Sequence, residues 1–138
     1  MAVRQISVFV ENTSGRLAEV TRLLADAKVN LRALSVADTA DFGILRLIVD
    51  NYDKAVAAFE QGGFTAKMTE VIGVEVPDRP GGLADVMELF DREGVNIEYL
   101  YSSLEKNVDN AVVIFKVENL EHGMKICQRS GLPTVSSF

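Results

Sequence analysis

Ile6-Ser7-Val8-Phe9-Val10-Glu11-Asn12-Thr13-Ser14-Gly15-Arg16-Leu17-Ala18-Glu19-Val20 returns further along the chain, without a gap, as Ile72-Gly73-Val74-Glu75-Val76-Pro77-Asp78-Arg79-Pro80-Gly81-Gly82-Leu83-Ala84-Asp85-Val86. Leu23 then falls on Leu89, Val29-Asn30 on Val95-Asn96, and Leu34 on Leu100. Two extra residues enter near residues 106–110, after which Asp50-Asn51 falls on Glu118-Asn119 and Gly63 on Gly131. Self-similarity at a fixed offset marks a duplicated structural unit. Here the duplication covers nearly the whole chain.

Each copy reads as the same string of elements. Ile6, Val8 and Val10 alternate with Ser7, Phe9 and Glu11, the period of a strand. Asn12-Thr13-Ser14-Gly15 reads as a turn. Leu17, Val20, Leu23, Leu24 and Ala27 recur at helical spacing and predict a stripe that faces a core. Residues 31–37 read as a second strand, Asp41, Phe42 and Gly43 as a turn, and residues 44–49 as a β-branched third strand. Asn51 is placed to cap a second helix that carries Val56 and Phe59 inward. Gly62-Gly63 ends that helix, and Phe64 opens a short fourth strand. The second copy predicts strand 72–76, helix 83–92, strands 97–104 and 111–117, helix 120–129 and a short strand after Gly131. The order β-α-β-β-α-β is the ferredoxin-like pattern. The expected architecture is therefore α+β: two ferredoxin-like units at residues 1–69 and 70–138, each an antiparallel four-stranded sheet with two helices on one face. No linker separates them, since the fourth strand of one runs into the first strand of the other near Thr69.

The third strands carry a further signal. Ile44 and Ile48 face one way and Leu45, Leu47 and Val49 the other; Val112 and Ile114 oppose Val113, Phe115 and Val117. A sheet covered on one face alternates apolar with polar residues. The second face is therefore expected to pack on the other copy or on a second chain. Half of a 138-residue chain is marginal by itself, because a domain that small buries only about 60% of its unfolded surface. A homodimer is the expectation.

Composition removes several function classes. The chain is 48% hydrophobic and 25% charged, with a net charge of -6. An acidic surface without a basic stripe repels phosphate backbones, so nucleic acid is not an expected partner. The single cysteine, Cys127, allows no disulfide and no cysteine-rich metal cluster. No apolar run approaches the roughly 20 residues needed to span a bilayer, and the N-terminal stretch lacks the apolar block of a signal peptide. A cytoplasmic, membrane-independent protein is expected. The one histidine, His122, aligns with Lys54 at a solvated helix position and has no ligand partner near it, so no metal and no cofactor are expected. Cys127 aligns with Phe59 and reads as a small buried hydrophobe. Tyr99 and Tyr101 share a strand face with Ile97 and read as lining an interface, which tyrosine favours, or else a ligand pocket. The acids near Asp50 and Glu118 read as solvated helix starts.

The chemistry concentrates in the turn before the first helix of each copy. A strand that enters a glycine turn and then a helix leaves backbone N–H groups pointing outward, with the positive end of the helix dipole behind them. Such a place receives a carboxylate, and Gly15 and Gly81 leave room for close approach. Asn12 or Asp78 can accept from an ammonium group beside it, and Asn30 and Asn96 can donate and accept. Together these groups can read both ends of an α-amino acid. They can equally serve as turn and cap residues.

Asp78-Arg79-Pro80-Gly81-Gly82-Leu83 followed by Gly94-Val95-Asn96-Ile97 resembles the helix-opening loop and second-strand start of ACT domains. Glu11-Asn12-Thr13-Ser14-Gly15-Arg16-Leu17 with Val29-Asn30-Leu31 resembles the same pattern, departing from it at Ser14, where Pro is usual, and at Lys28, where Gly is usual. The resemblance implies a non-catalytic regulatory module that binds an amino acid or similar small ligand between two ACT units. In ACT domains that bind serine, the positions matching Asn12 and Asn30 contact the ligand. The implied binding residues are Asn12, Ser14, Gly15, Arg16, Leu17, Asn30 and Leu31 in the first copy. In the second they are Asp78, Pro80, Gly81, Gly82, Leu83, Asn96 and Ile97.

Three rival readings share the topology. A ligand-free module for dimerisation or docking on a partner enzyme or regulator is the strongest. An acylphosphatase-like enzyme would use a loop Arg such as Arg16, but Gly82 stands at that place in the second copy and no nucleophile and base pair is visible. An RNA-binding sheet needs exposed aromatics on its central strands, and only Phe9 and Phe115 are candidates.

Overall fold

The computed structural model describes residues 2–38, 41–106 and 109–138. Its elements, in chain order, are β1 (Val3–Glu11), α1 (Arg16–Asp26), β2 (Leu31–Asp38), β3 (Phe42–Val49), α2 (Tyr52–Gln61), β4 (Ala66–Pro77), α3 (Gly82–Arg92), β5 (Ile97–Lys106), β6 (Asn110–Val117), α4 (Leu120–Ser130) and β7 (Thr134–Val135). The chain is α+β. The described residues form seven strands where the repeat predicts eight, because the last strand of the first copy and the first strand of the second are one strand, β4. The chain divides into two compact units, Arg4–Thr69 and Glu70–Phe138, with the residues before Arg4 grouping with the latter. The insertion near residues 106–110 includes residues 107–108, which lie outside the described ones.

In the first unit β3 pairs antiparallel with β1, Ile6 opposite Leu47 and Val8 opposite Leu45. It pairs antiparallel with β2 on its other side. β1 also pairs with β4, and just before that strand the Phe9 N–H donates to the Thr65 carbonyl at 3.2 Å. Ile6, Val8, Val10, Leu45 and Leu47 form one buried face, which receives Val20 and Leu24 from α1 and Ala55 and Phe59 from α2. Both helices thus cover the same face of the sheet. Phe42 and Gly43, expected in a turn, extend β3 instead, because they pair with Glu11 and Val10. Phe64 precedes the fourth strand rather than opening it. Its N–H is spent on the Phe59 carbonyl at the end of α2, and its ring packs edge-on against that of Phe59.

The second unit repeats the plan. β6 pairs with β4 and with β5, and β4 pairs with β7, all antiparallel. The core is filled differently. Phe90 and Phe115 meet edge to face with ring centroids 5.3 Å apart, at places held by Leu24 and Leu47 in the first unit, while Cys127 stands where the first unit has Phe59. Aromatic bulk has moved from the second helix of the unit to its first helix and third strand, and the packed face is kept filled. Phe115 is fully buried, so it offers no stacking surface to a base.

Both second helices carry the cap read from the sequence. Asn51 Oδ1 accepts from the Lys54 N–H and Asn119 Oδ1 from the His122 N–H, each at 3.1 Å. Asn51→Ala and Asn119→Ala should each lower the unfolding free energy by about 1 kcal/mol, read as a shift of the urea midpoint at unchanged slope. A loss near zero at both would mean that water replaces the cap without cost.

Both faces of β6 are buried within the single chain, Val112 and Ile114 as well as Val113, Phe115 and Val117. Its two-sided apolar pattern therefore does not itself call for a second chain. No helix among the described residues is long and apolar enough to cross a membrane.

Candidate functional site

The two helix starts are built alike. β1 ends at Glu11, and the chain is latched to the facing hairpin by the Asn12 N–H, which donates to the Asp41 carbonyl at 3.0 Å. In the second unit the Asp78 N–H donates to the Asp109 carbonyl at the same distance. The Thr13 and Arg79 N–H groups turn back on the Glu11 and Pro77 carbonyls. Gly15 and Gly81 then serve as N-caps with φ of 89° and 86°, a left-handed conformation that favours glycine, and neither helix has a side-chain cap. The first intrahelical bonds are Glu19 N–H to the Gly15 carbonyl and Asp85 N–H to the Gly81 carbonyl. Among the described residues the N–H groups of Leu17, Ala18, Leu83 and Ala84 donate to no backbone acceptor. Leu17 and Leu83, 46% and 39% exposed, stand outside their helices' buried stripes. Leu17 was expected inside its stripe; it lies in the first turn of α1, and burial begins at Val20.

Space is open at both capping glycines: a Cβ at Gly15 would meet nothing within 4 Å, and one at Gly81 would meet Arg79 Nη1 at 3.6 Å. Crowding falls on Gly82, where a Cβ would overlap the carbonyl oxygen of Pro77. Arg16 holds the matching place in the first unit, with its guanidinium 2.7 Å from Glu19 and over the ring of Phe64 at 4.8 Å. In the second unit Arg79 reaches Asp85 at 3.0 Å and the Pro80 carbonyl at 3.2 Å.

Asn30 and Asn96 lie elsewhere. Neither is left-handed; that conformation falls on Lys28 (φ 59°) and Gly94 (φ 73°), which explains why Gly is usual at the position where the first copy has Lys28. The Asp50 N–H donates to the Asn30 carbonyl at 3.1 Å, and the Glu118 N–H to the Asn96 carbonyl at 2.9 Å. Asn12 therefore sits beyond one end of β3 and Asn30 beyond the other. Eight residues of strand at about 3.3 Å each put them roughly 25 Å apart. The same separation holds for Asp78 and Asn96 across β6. No single unit can bring both groups to one amino acid.

Sequence reading missed the acids that brace these asparagines. Asp50 Oδ1 accepts from the Asn30 N–H at 2.9 Å, and Glu118 Oε2 accepts from the Asn96 side-chain amide at 3.1 Å. The repeat carried the signal, since Asp50-Asn51 and Glu118-Asn119 align. Leu31 and Ile97 turn partly buried toward the two cores. β-bulges follow both, between Leu31 and Ala33 and between Ile97 and Tyr99. The second bulge separates Ile97, opposite Val117, from Tyr99 and Tyr101, opposite Lys116 and Ile114. The tyrosines thus do not share a face with Ile97. They stack at 6.5 Å with an interplanar angle of 16°.

His122 is half-buried rather than solvated, its Nε2 2.8 Å from the Glu93 carbonyl, which ties α4 to the end of α3. Among the described residues no three His, Cys, Asp or Glu side chains gather to hold a metal. Cys127 is buried, and burial pushes its thiol pKa up, which keeps it protonated and a poor nucleophile. A cavity of about 640 Å³ runs along α4 and β7, lined by Met124, Cys127 and Leu132 with Glu121, Lys125 and Gln128. None of the predicted binding residues lines it.

Comparison with known proteins agrees with this architecture. A family model described as an ACT domain pair matches residues 1–136. The solved structure of protein BT0572 from Bacteroides thetaiotaomicron is 40% identical, with a TM-score of 0.93 over 99% of this chain and 94% of that one. Regulatory subunits of aspartate kinase from Thermus thermophilus and Thermus flavus share the fold at 18% and 15% identity, with TM-scores of 0.63 and 0.62. They cover 91% and 93% of this chain, and 90% and 92% of theirs. A search of curated proteins gives no match. On the match across 1–136 and the 40% identity over 99% of its length, the chain belongs to the ACT domain pair family.

Proposed function

We propose that the chain is a non-catalytic regulatory module of two ferredoxin-like ACT domains, 1–69 and 70–138, that binds an amino acid. The observation that carries this reading is the pair of matching helix starts. In each, a left-handed glycine cap leaves amides without a side-chain cap beside an exposed aliphatic residue. Those amides and the helix dipole attract a carboxylate. An exposed carboxamide such as that of Asn30 supplies both a donor and an acceptor for the rest of the ligand. Because Asn12 and Asn30 stand at opposite ends of β3, a ligand that touches a loop and a strand start takes them from two ACT domains. The proposed setting is a cytoplasmic homodimer whose output passes to a partner enzyme. Aspartate kinase regulatory subunits with this fold lend support to a regulatory role.

Thermal melting against each of the standard amino acids tests the reading. A bound amino acid at 100 times its Kd adds about 2.7 kcal/mol of stability. One amino acid, or a small related group, should raise the melting temperature, and Asn30→Ala or Asn96→Ala should remove the shift. A flat response across the panel would favour docking instead. That second reading draws on Phe9 and Phe42, 45% and 52% exposed on adjacent strands of the first unit.

A further inference from the structure

The two strand starts differ by one methylene group, and the difference decides which asparagine side chain is available. In both units the backbone brace is the same, the acid's N–H donating to the asparagine carbonyl. The acid side chains then part. Asp50 is short and closes on the backbone N–H of Asn30 at 2.9 Å. This second bond fixes the Asn30 backbone, and its side-chain amide has no hydrogen-bond partner among the described residues. Glu118 reaches further, past the backbone, and takes the side-chain amide of Asn96 at 3.1 Å. A ligand arriving at Asn96 would meet a side-chain amide already donating to a carboxylate. A ligand arriving at Asn30 meets a fixed backbone and both hydrogens of a free amide.

Resting on the binding role proposed above, we infer that the chain has one competent strand start, Asn30, and that Glu118 acts as an internal occupant of the other, Asn96. The ligand class is that of the proposal, an amino acid carrying its free carboxylate. Each chain then takes one ligand where its duplicated sequence offers two places, and the acid that follows the third strand sets which place is used.

The test exchanges the two acids. Binding of each standard amino acid to the full chain is measured by titration calorimetry for the natural sequence, Asp50→Glu and Glu118→Asp. The natural protein should bind one equivalent per chain. Asp50→Glu, which lets the longer acid capture the Asn30 amide, should weaken binding at least tenfold. Glu118→Asp should raise the stoichiometry to two. Side-chain amide exchange in the ligand-free protein gives a second reading: Asn96 should be the slower of the two in the natural protein, and Glu118→Asp should speed it. Two equivalents bound by the natural protein, or binding lost in Asn96→Ala and kept in Asn30→Ala, would overturn this assignment and leave the proposed function standing. No amino acid bound by the natural protein or by Glu118→Asp would remove the proposed function and this assignment together.

Discussion

Phe90→Ala should reduce the stability of the chain by about 4 kcal/mol, the range for emptying a buried aromatic site. Phe90 is fully buried between the helices and sheet of the second unit. Its ring meets that of Phe115 edge to face, a contact that adds roughly 1 kcal/mol beyond the buried area. The neighbours are poorly placed to fill the hole. Cys127, on the facing helix, is small, and Gly123 already lies so close to Ile72 and Val117 that its own Cβ would sit 3.0 Å from each. Urea unfolding monitored by circular dichroism gives the number. A loss under 1 kcal/mol would mean that the second core is not centred on this aromatic pair.

Gly82→Ala should cost about 3 kcal/mol, the upper part of the range for forcing atoms into a packed site, and lower the melting temperature by roughly 10 °C. The added methyl would run into the Pro77 carbonyl, which is backbone and is already held by the Arg79 N–H at 2.9 Å. Relief requires moving the end of β4 or the first turn of α3. Gly15→Ala is the informative comparison. It meets no atom within 4 Å and loses only the left-handed preference, about 1 kcal/mol. Equal losses at the two positions would show that conformation, not crowding, governs both loops.

Much of the fold was legible because it is written twice. Alternating Ile6, Val8 and Val10 and their partners Ile72, Val74 and Val76 all reach the cores, and Asn51 and Asn119 cap where their position before a helix predicts. What was not legible depends on register and reach. A bulge after Ile97 turns Tyr99 to the other face, and neither residue's chemistry announces it. Phe42 and Gly43 look like a turn until their pairing with Glu11 and Val10 is known. For the candidate site, sequence located the loops and the asparagines, but their placement at opposite ends of β3 follows from pairing. The roles of Asp50 and Glu118 depend on which of two nearby amide groups a side chain can reach, a matter of one carbon.

β4 runs unbroken from Ala66 to Pro77, and the division between the units falls inside it, between Thr69 and Glu70. Domains are ordinarily excised at flexible connectors, whereas the seam here, though Lys67, Met68 and Glu70 are exposed, lies inside a continuous strand. Cloning either repeat alone severs this strand and leaves each product with only part of it. A transplant of this chain that keeps β4 whole therefore has to carry the entire duplication.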